Sequence, residues 1–187
     1  MQRVLQVVFV IAVLLLSWLG MMVVHELGHV IGAVLTQGVV TNVVLHPLSI
    51  SRTDVQPNPV PSVVVWLGPL VGVLLPLFVS LIPWGEPLLK NLARFFAGFC
   101  LTANGAYIAL GSFEGIGDCG EMLRTGTPIW LMLLFGASTI TAGFYLWHTM
   151  GSARQFFANP DMVSWQMVVI TVTALVVVVI VELALSR

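Results

Sequence analysis

Residues 21–30 read MMVVHELGHV, and the side chains in them best suited to chemistry are His25, Glu26 and His29. On an α-helix two histidines four residues apart project from one face and can present two imidazole nitrogens to a single ion, with the intervening glutamate about a quarter-turn away. That geometry suits zinc. Two neutral histidines and a third protein ligand leave the fourth position of a tetrahedral ion to water, which Zn²⁺ acidifies to a pKa of ~7, and a neighbouring carboxylate can take the proton. Glu26 is the candidate for that general base. With four histidines in 187 residues, random placement yields a HExxH pattern in roughly two such sequences per thousand. Ionisable side chains in an apolar span also cost about 2.5 kcal/mol or more each, so they call for a reason to stay.

HExxH supplies two ligands and leaves the third to be found. The motif lies late in an apolar stretch over residues 4–36, so His29 sits ~10 Å short of its end and the partner has to come from that side. Glu86 and Asp161 fall on the opposite side. Asp54, Glu114, Asp118, Cys119 and Glu121 remain, with His46 as a more distant candidate. Asp118 leads because Gly117 and Gly120 flank it closely, and glycine lets a backbone turn sharply and approach an ion. Cys119 would make a softer site, and the plain alternative for Asp118 is a solvated loop acid.

The elements that must position these groups follow from composition. The chain is 58% hydrophobic and 8% charged, with mean hydropathy +1.03, which is too little polar surface for a water-soluble globule. Seven Lys and Arg residues scattered singly make no phosphate-neutralising patch, and the net charge is −1, so nucleic acid is excluded as a partner. Apolar segments at about residues 4–36, 62–82, 88–110, 128–149 and 163–185 are each long enough to cross a ~30 Å hydrocarbon core. The predicted fold class is an all-α polytopic membrane protein of about five transmembrane helices, with residues 1–187 forming one membrane-embedded domain. The first segment, some 50 Å as a helix, has to tilt, kink near Ser17 or Gly20, or protrude. Between the first two spans, residues 37–61 carry β-branched residues and then QPNPVP, which predicts a short strand or hairpin closed by a Pro-rich turn. Residues 111–127, GSFEGIGDCGEMLRTGT, read as a glycine-rich loop, and 150–162 as a polar one. Glu182, near the end of the last span, is expected to snorkel or pair. Arg3, Lys90, Arg94 and Arg154 on one side against Arg52, Arg124 and Arg187 on the other barely favour a cytoplasmic N-terminus.

HELGH near the end of a transmembrane helix, WLGPLVG (66–72) opening the next, then Asn104 and a Gly-flanked Asp118 together resemble the site-2 protease family of intramembrane zinc metalloproteases. Residues 18–135 take part in the resemblance. It implies zinc on His25, His29 and Asp118, Glu26 as general base, and hydrolysis of a peptide bond in or beside the membrane. It also implies that the strand-like 37–61 segment, which contains His46, pairs with an unfolded substrate strand, and that Asn104 helps hold the scissile carbonyl. Read without the family, Asn104 is a helix-packing amide. The chain departs from the family in having Gly117-Asp118-Cys119-Gly120 where an Asn-Pro-Asp-Gly or Leu-Asp-Gly setting is common, and in lacking an inserted PDZ or nucleotide-sensing domain.

The expected function is therefore an intramembrane zinc endopeptidase, with a membrane-protein or peptide substrate and the lipid bilayer as its partners. Competing readings are a non-catalytic metal-binding or zinc transport protein, or an inactive protease relative serving as a scaffold. A transporter calls for polar groups in several spans and often inverted repeats, and neither is visible here.

Overall fold

The computed structural model of the chain describes residues 1–151 and 153–185; Arg187, one of the cations in the charge count, lies outside them. Among the described residues five helices are long and apolar enough to cross a membrane: α1 (Gln2–Leu35), α2 (Pro61–Leu81), α3 (Pro87–Glu114), α5 (Ile129–His148) and α7 (Trp165–Leu185). Two short helices complete the order, α4 (Gly117–Arg124) and α6 (Ala153–Ala158), the latter followed by a 3₁₀ turn at Pro160–Met162. Pro61 and Pro87 open α2 and α3 at the position where a missing N–H costs nothing. Between α1 and α2 the predicted hairpin is present: β1 (Val40–Val44) pairs antiparallel with β2 (Arg52–Val55), Val43 opposite Thr53 and Val44 opposite Arg52.

The excess length of α1 is used at its N-terminal end. The helix runs from Gln2 to Leu35 without interruption at Ser17 or Gly20. Its first turns are covered by the 153–163 segment: Gln6 Nε2 donates to the Phe156 carbonyl at 2.7 Å, Arg3 to that of Phe157 at 3.3 Å, and Phe9 packs with Val163 and Val168. Residues 150–162, expected as a plain loop, are thus partly helical and form a cap.

Glycines set how closely the helices approach. A Cβ on Gly28 or Gly32 of α1 would run into the backbone of Leu67 or Val64 in α2, and one on Gly136 or Gly143 of α5 would run into the carbonyls of Gly105 or Gly98 in α3. Without side chains at these positions the backbones come together, as dispersion-driven helix packing in apolar surroundings favours.

The 111–127 stretch departs from expectation. Helix α3 continues to Glu114, and after a two-residue break α4 takes up eight residues that the glycine density suggested were loop. Gly115 and Gly117, at φ of 65° and 56°, make the reversal in the left-handed region that favours glycine. Gly111 and Gly120 instead make room, for the Cys119 sulfur and the Gly115 carbonyl. Cys119 and Met122, three apart on one helical face, are fully buried with Val65, Ile108 and Met132. That anchor fixes α4 and leaves Asp118 directed elsewhere. Glu182 is 2% exposed, and among the described residues neither of its carboxylate oxygens has a hydrogen-bond partner.

Candidate metal centre

His25 and His29 sit on the buried face of α1, each 6% exposed. Asp118, in the first turn of α4, meets them there. Its Oδ2 lies 2.8 Å from His25 Nε2 and 3.3 Å from His29 Nε2, and the two Nε2 atoms are 3.1 Å apart. Among the described residues this is the one group of three or more His, Cys, Asp or Glu side chains placed to hold a metal ion.

The other nitrogen of each ring decides what these contacts mean. His25 Nδ1 is 2.7 Å from Asn104 Oδ1, and Asn104 Nδ2 donates to the Cys100 carbonyl at 2.9 Å, which orients the amide with its oxygen towards the imidazole. His29 Nδ1 is 2.9 Å from the Val64 carbonyl of α2. A carbonyl oxygen only accepts, so both Nδ1 atoms carry the proton, and in the neutral rings both Nε2 atoms are lone pairs. Two lone pairs and a carboxylate oxygen therefore converge within hydrogen-bonding distance. A single proton can bridge just one of the three contacts, whereas a cation at their centre satisfies all three. Ligand atoms around a tetrahedral ion with bonds of ~2.1 Å stand about 3.4 Å apart, and the observed separations lie a few tenths of an ångström inside that. The donor set fits a small divalent ion. The Nδ1 contacts to Asn104 and Val64 are the outer hydrogen bonds that metal-binding histidines commonly have.

Burial opposes ionisation of Asp118; when the rings are protonated instead of neutral, their Nε2–H groups and positive charge outweigh it and hold its carboxyl well below the usual carboxylate range. Its position in the first turn of α4 favours negative charge further. The Asp118 N–H donates to Tyr107 Oη at 3.1 Å, and the Tyr107 ring stands edge-on to His25 with centroids 5.9 Å apart, tying α3, α4 and His25 together.

The remaining candidates stay outside this cluster, although Asp54 and Glu121 line the cavity around it. Asp54 is ion-paired with Arg52, Glu121 with Arg124, and Glu114 is exposed at the end of α3. His46, in the hairpin turn, accepts from the Leu48 N–H. The Cys119 sulfur faces the carbonyls of Tyr107 and Ile108, and burial, with the charges of Asp118 and Glu114, pushes its thiol up to about 11. Asn104 is 0% exposed, with its oxygen on His25 and its amide on Cys100. It is therefore placed to orient a histidine, and it also lines the cavity shared by His25, Glu26, His29 and Asp118.

Glu26 is 3% exposed and lines the same cavity as the three candidate ligands. Ser51 Oγ donates to its Oε1 and Thr53 Oγ1 to its Oε2, each at 2.7 Å. Gly68 packs flat against the His29 ring, which a Cβ would overlap. Ser51, Thr53, Tyr107 and the Val64 carbonyl were not among the sequence candidates. The spacing of Tyr107, one turn after Asn104, and the strand-like alternation of Ser51 and Thr53 are the signals that could have found them.

The cavity has a volume of about 1130 Å³. Its lining includes the apolar Trp18, Met21 and Met22, one to two turns before the motif on α1, and the charged Arg52, Glu121 and Arg124. Comparison of the chain with protein-family models, curated proteins and solved structures gives no match.

Proposed function

We propose that the chain is a membrane-embedded zinc endopeptidase that hydrolyses a peptide bond in or next to a transmembrane segment of a membrane protein. The observation that carries this is the convergence of two Nε2 lone pairs and a carboxylate, with both Nδ1 protons held away from them, beside a glutamate in one cavity. His25, His29 and Asp118 would hold the zinc, and the resemblance of HELGH, Gly68-Pro69 and Asp118 to the site-2 proteases supports the same reading. When bound, zinc supplies a Lewis acid that acidifies water and polarises a peptide carbonyl.

The chain's own residues do the rest. Asn104 and the Val64 carbonyl keep both imidazoles in the metal-binding tautomer. Glu26 takes the proton of the attacking water and passes it to the amine nitrogen that leaves. The hairpin has two strands, so β2 has one edge without a strand partner, and residues from Ile50 to Gln56 line the cavity. A substrate strand adding to that edge would present its carbonyls to the site. A transmembrane helix hides every carbonyl in its own hydrogen bonds, so substrates that unwind locally are favoured. The apolar lining contributed by Trp18, Met21 and Met22 suits the part of the substrate still in lipid.

The test is to purify the chain in detergent, measure its metal, and compare wild type with Glu26→Gln on a quenched fluorogenic peptide carrying a transmembrane segment with a Gly-Pro break. The expected result is one zinc in both proteins and cleavage in wild type alone. Stoichiometric zinc without cleavage, or equal cleavage by Glu26→Gln, overturns the assignment. Zinc flux into vesicles that survives Glu26→Gln would favour the transporter.

A further inference from the structure

Strand β2 does more than line the cavity. Side chains alternate along a strand, and residues 51–55 read Ser-Arg-Thr-Asp-Val. Arg52 and Asp54 fall on one face, where Arg52 Nε and Asp54 Oδ2 pair at 3.3 Å. Ser51, which immediately precedes β2, and Thr53 fall on the other, and both hydroxyls go to one carboxylate, Ser51 to Oε1 and Thr53 to Oε2 of Glu26. Val55, next on that face, packs on Gly38. Hydroxyls donating to an ionised carboxylate are short, strong contacts, and these two engage both oxygens. Each oxygen keeps a lone pair, so a proton can still be taken.

We propose that Ser51 and Thr53 are positioning residues for Glu26: β2 is a clamp that fixes the rotamer of the catalytic carboxylate and ties it to the strand that would receive the substrate. This rests on the protease reading for the word catalytic, whereas the clamp itself is a property of the chain without metal. A glutamate side chain without partners can exchange among several staggered rotamers; two donors spaced at the strand period select one. Strand and base then move as one unit, so a substrate strand that pairs with β2 is registered against Glu26 as well as against the metal ligands. The fixed geometry acts on the chemical step and leaves substrate binding by backbone pairing in place.

Two measurements on the full chain in detergent test this. In the metal-free protein, hydrogen exchange of the β2 amides is compared between wild type, Glu26→Ala and the Ser51→Ala/Thr53→Val double variant. Both variants are expected to speed β2 exchange about tenfold or more while α2 is unchanged. With zinc restored and the fluorogenic transmembrane peptide as probe, the double variant is expected to lose about tenfold or more in kcat with KM within about twofold and zinc stoichiometry intact, and Thr53→Ser to behave as wild type. Unchanged β2 exchange overturns the clamp, as does an unchanged or raised kcat in the double variant, the latter marking the hairpin as a restraint on the base. If wild type proves inactive while β2 exchange responds as expected, the protease reading fails and the clamp stands. If wild type cleaves and neither variant differs from it, the clamp fails and the protease stands.

Discussion

Replacing Asn104 by leucine isolates the contact that sets the His25 tautomer. The two side chains are close in size, so the packing against Gly72 is largely kept, but the oxygen 2.7 Å from His25 Nδ1 is lost. The Nδ1 proton is then buried without an acceptor, a loss of about 1–3 kcal/mol. The ring escapes by moving its proton to Nε2, where Asp118 Oδ2 lies 2.8 Å away and accepts it. That tautomer cannot bind a metal through Nε2. A penalty of this size depopulates the metal-binding form by about 5- to 150-fold, and zinc affinity falls by the same factor. Asn104→Asp keeps the acceptor for His25; its second oxygen, facing the Cys100 carbonyl that Nδ2 meets at 2.9 Å, has to carry a proton there, and in that form the variant is expected to retain affinity. Competition against a chromophoric chelator in detergent gives the affinities, and far-UV circular dichroism shows that each variant is folded. Folded Asn104→Leu with zinc affinity within about twofold of wild type would refute the tautomer argument, and so would Asn104→Asp losing as much as Asn104→Leu. A residue that merely held a substrate carbonyl would alter kcat and leave zinc affinity alone.

Three further expectations follow from the site. Asp118→Asn should lower zinc affinity about tenfold or more, while Asp54→Asn, Glu114→Gln and Glu121→Gln keep it; metal analysis after dialysis that finds Asp118→Asn fully loaded would move the third ligand elsewhere. Gly68→Ala places a methyl group in the His29 ring, so the variant should stay helical yet bind zinc about tenfold or more weakly, and tight stoichiometric zinc in it would show that α2 can retreat. Cys119, buried and with its thiol pushed up to about 11, should resist iodoacetamide at pH 8 in the folded chain, and Cys119→Ser should keep its zinc; rapid native labelling of Cys119 would contradict its placement.

The parts of this architecture that the sequence reveals are those encoded within one element. Run length and hydropathy located the five long helices to within a few residues, because an apolar helix is a local property of composition. The β-branched run before QPNPVP located the hairpin for the same reason. Glycine was ambiguous: in residues 111–127 the same residue type turns the chain at Gly115 and Gly117 and makes packing space at Gly111 and Gly120, and only the first use marks a loop. Reading all four as loop hid α4 while still pointing to Asp118. The contacts that prepare the centre join distant elements. Val64 lies 35 positions from His29, Asn104 79 from His25, and Ser51 25 from Glu26. Each is a common residue whose importance depends on the register between two helices, or on where a hairpin folds back. HELGH carries its chemistry in its spacing, but which nitrogen of each ring is free for a metal is decided by partners that helix packing supplies. The glycines at 28, 32 and 68 allow α2 close enough for its backbone to be one of them.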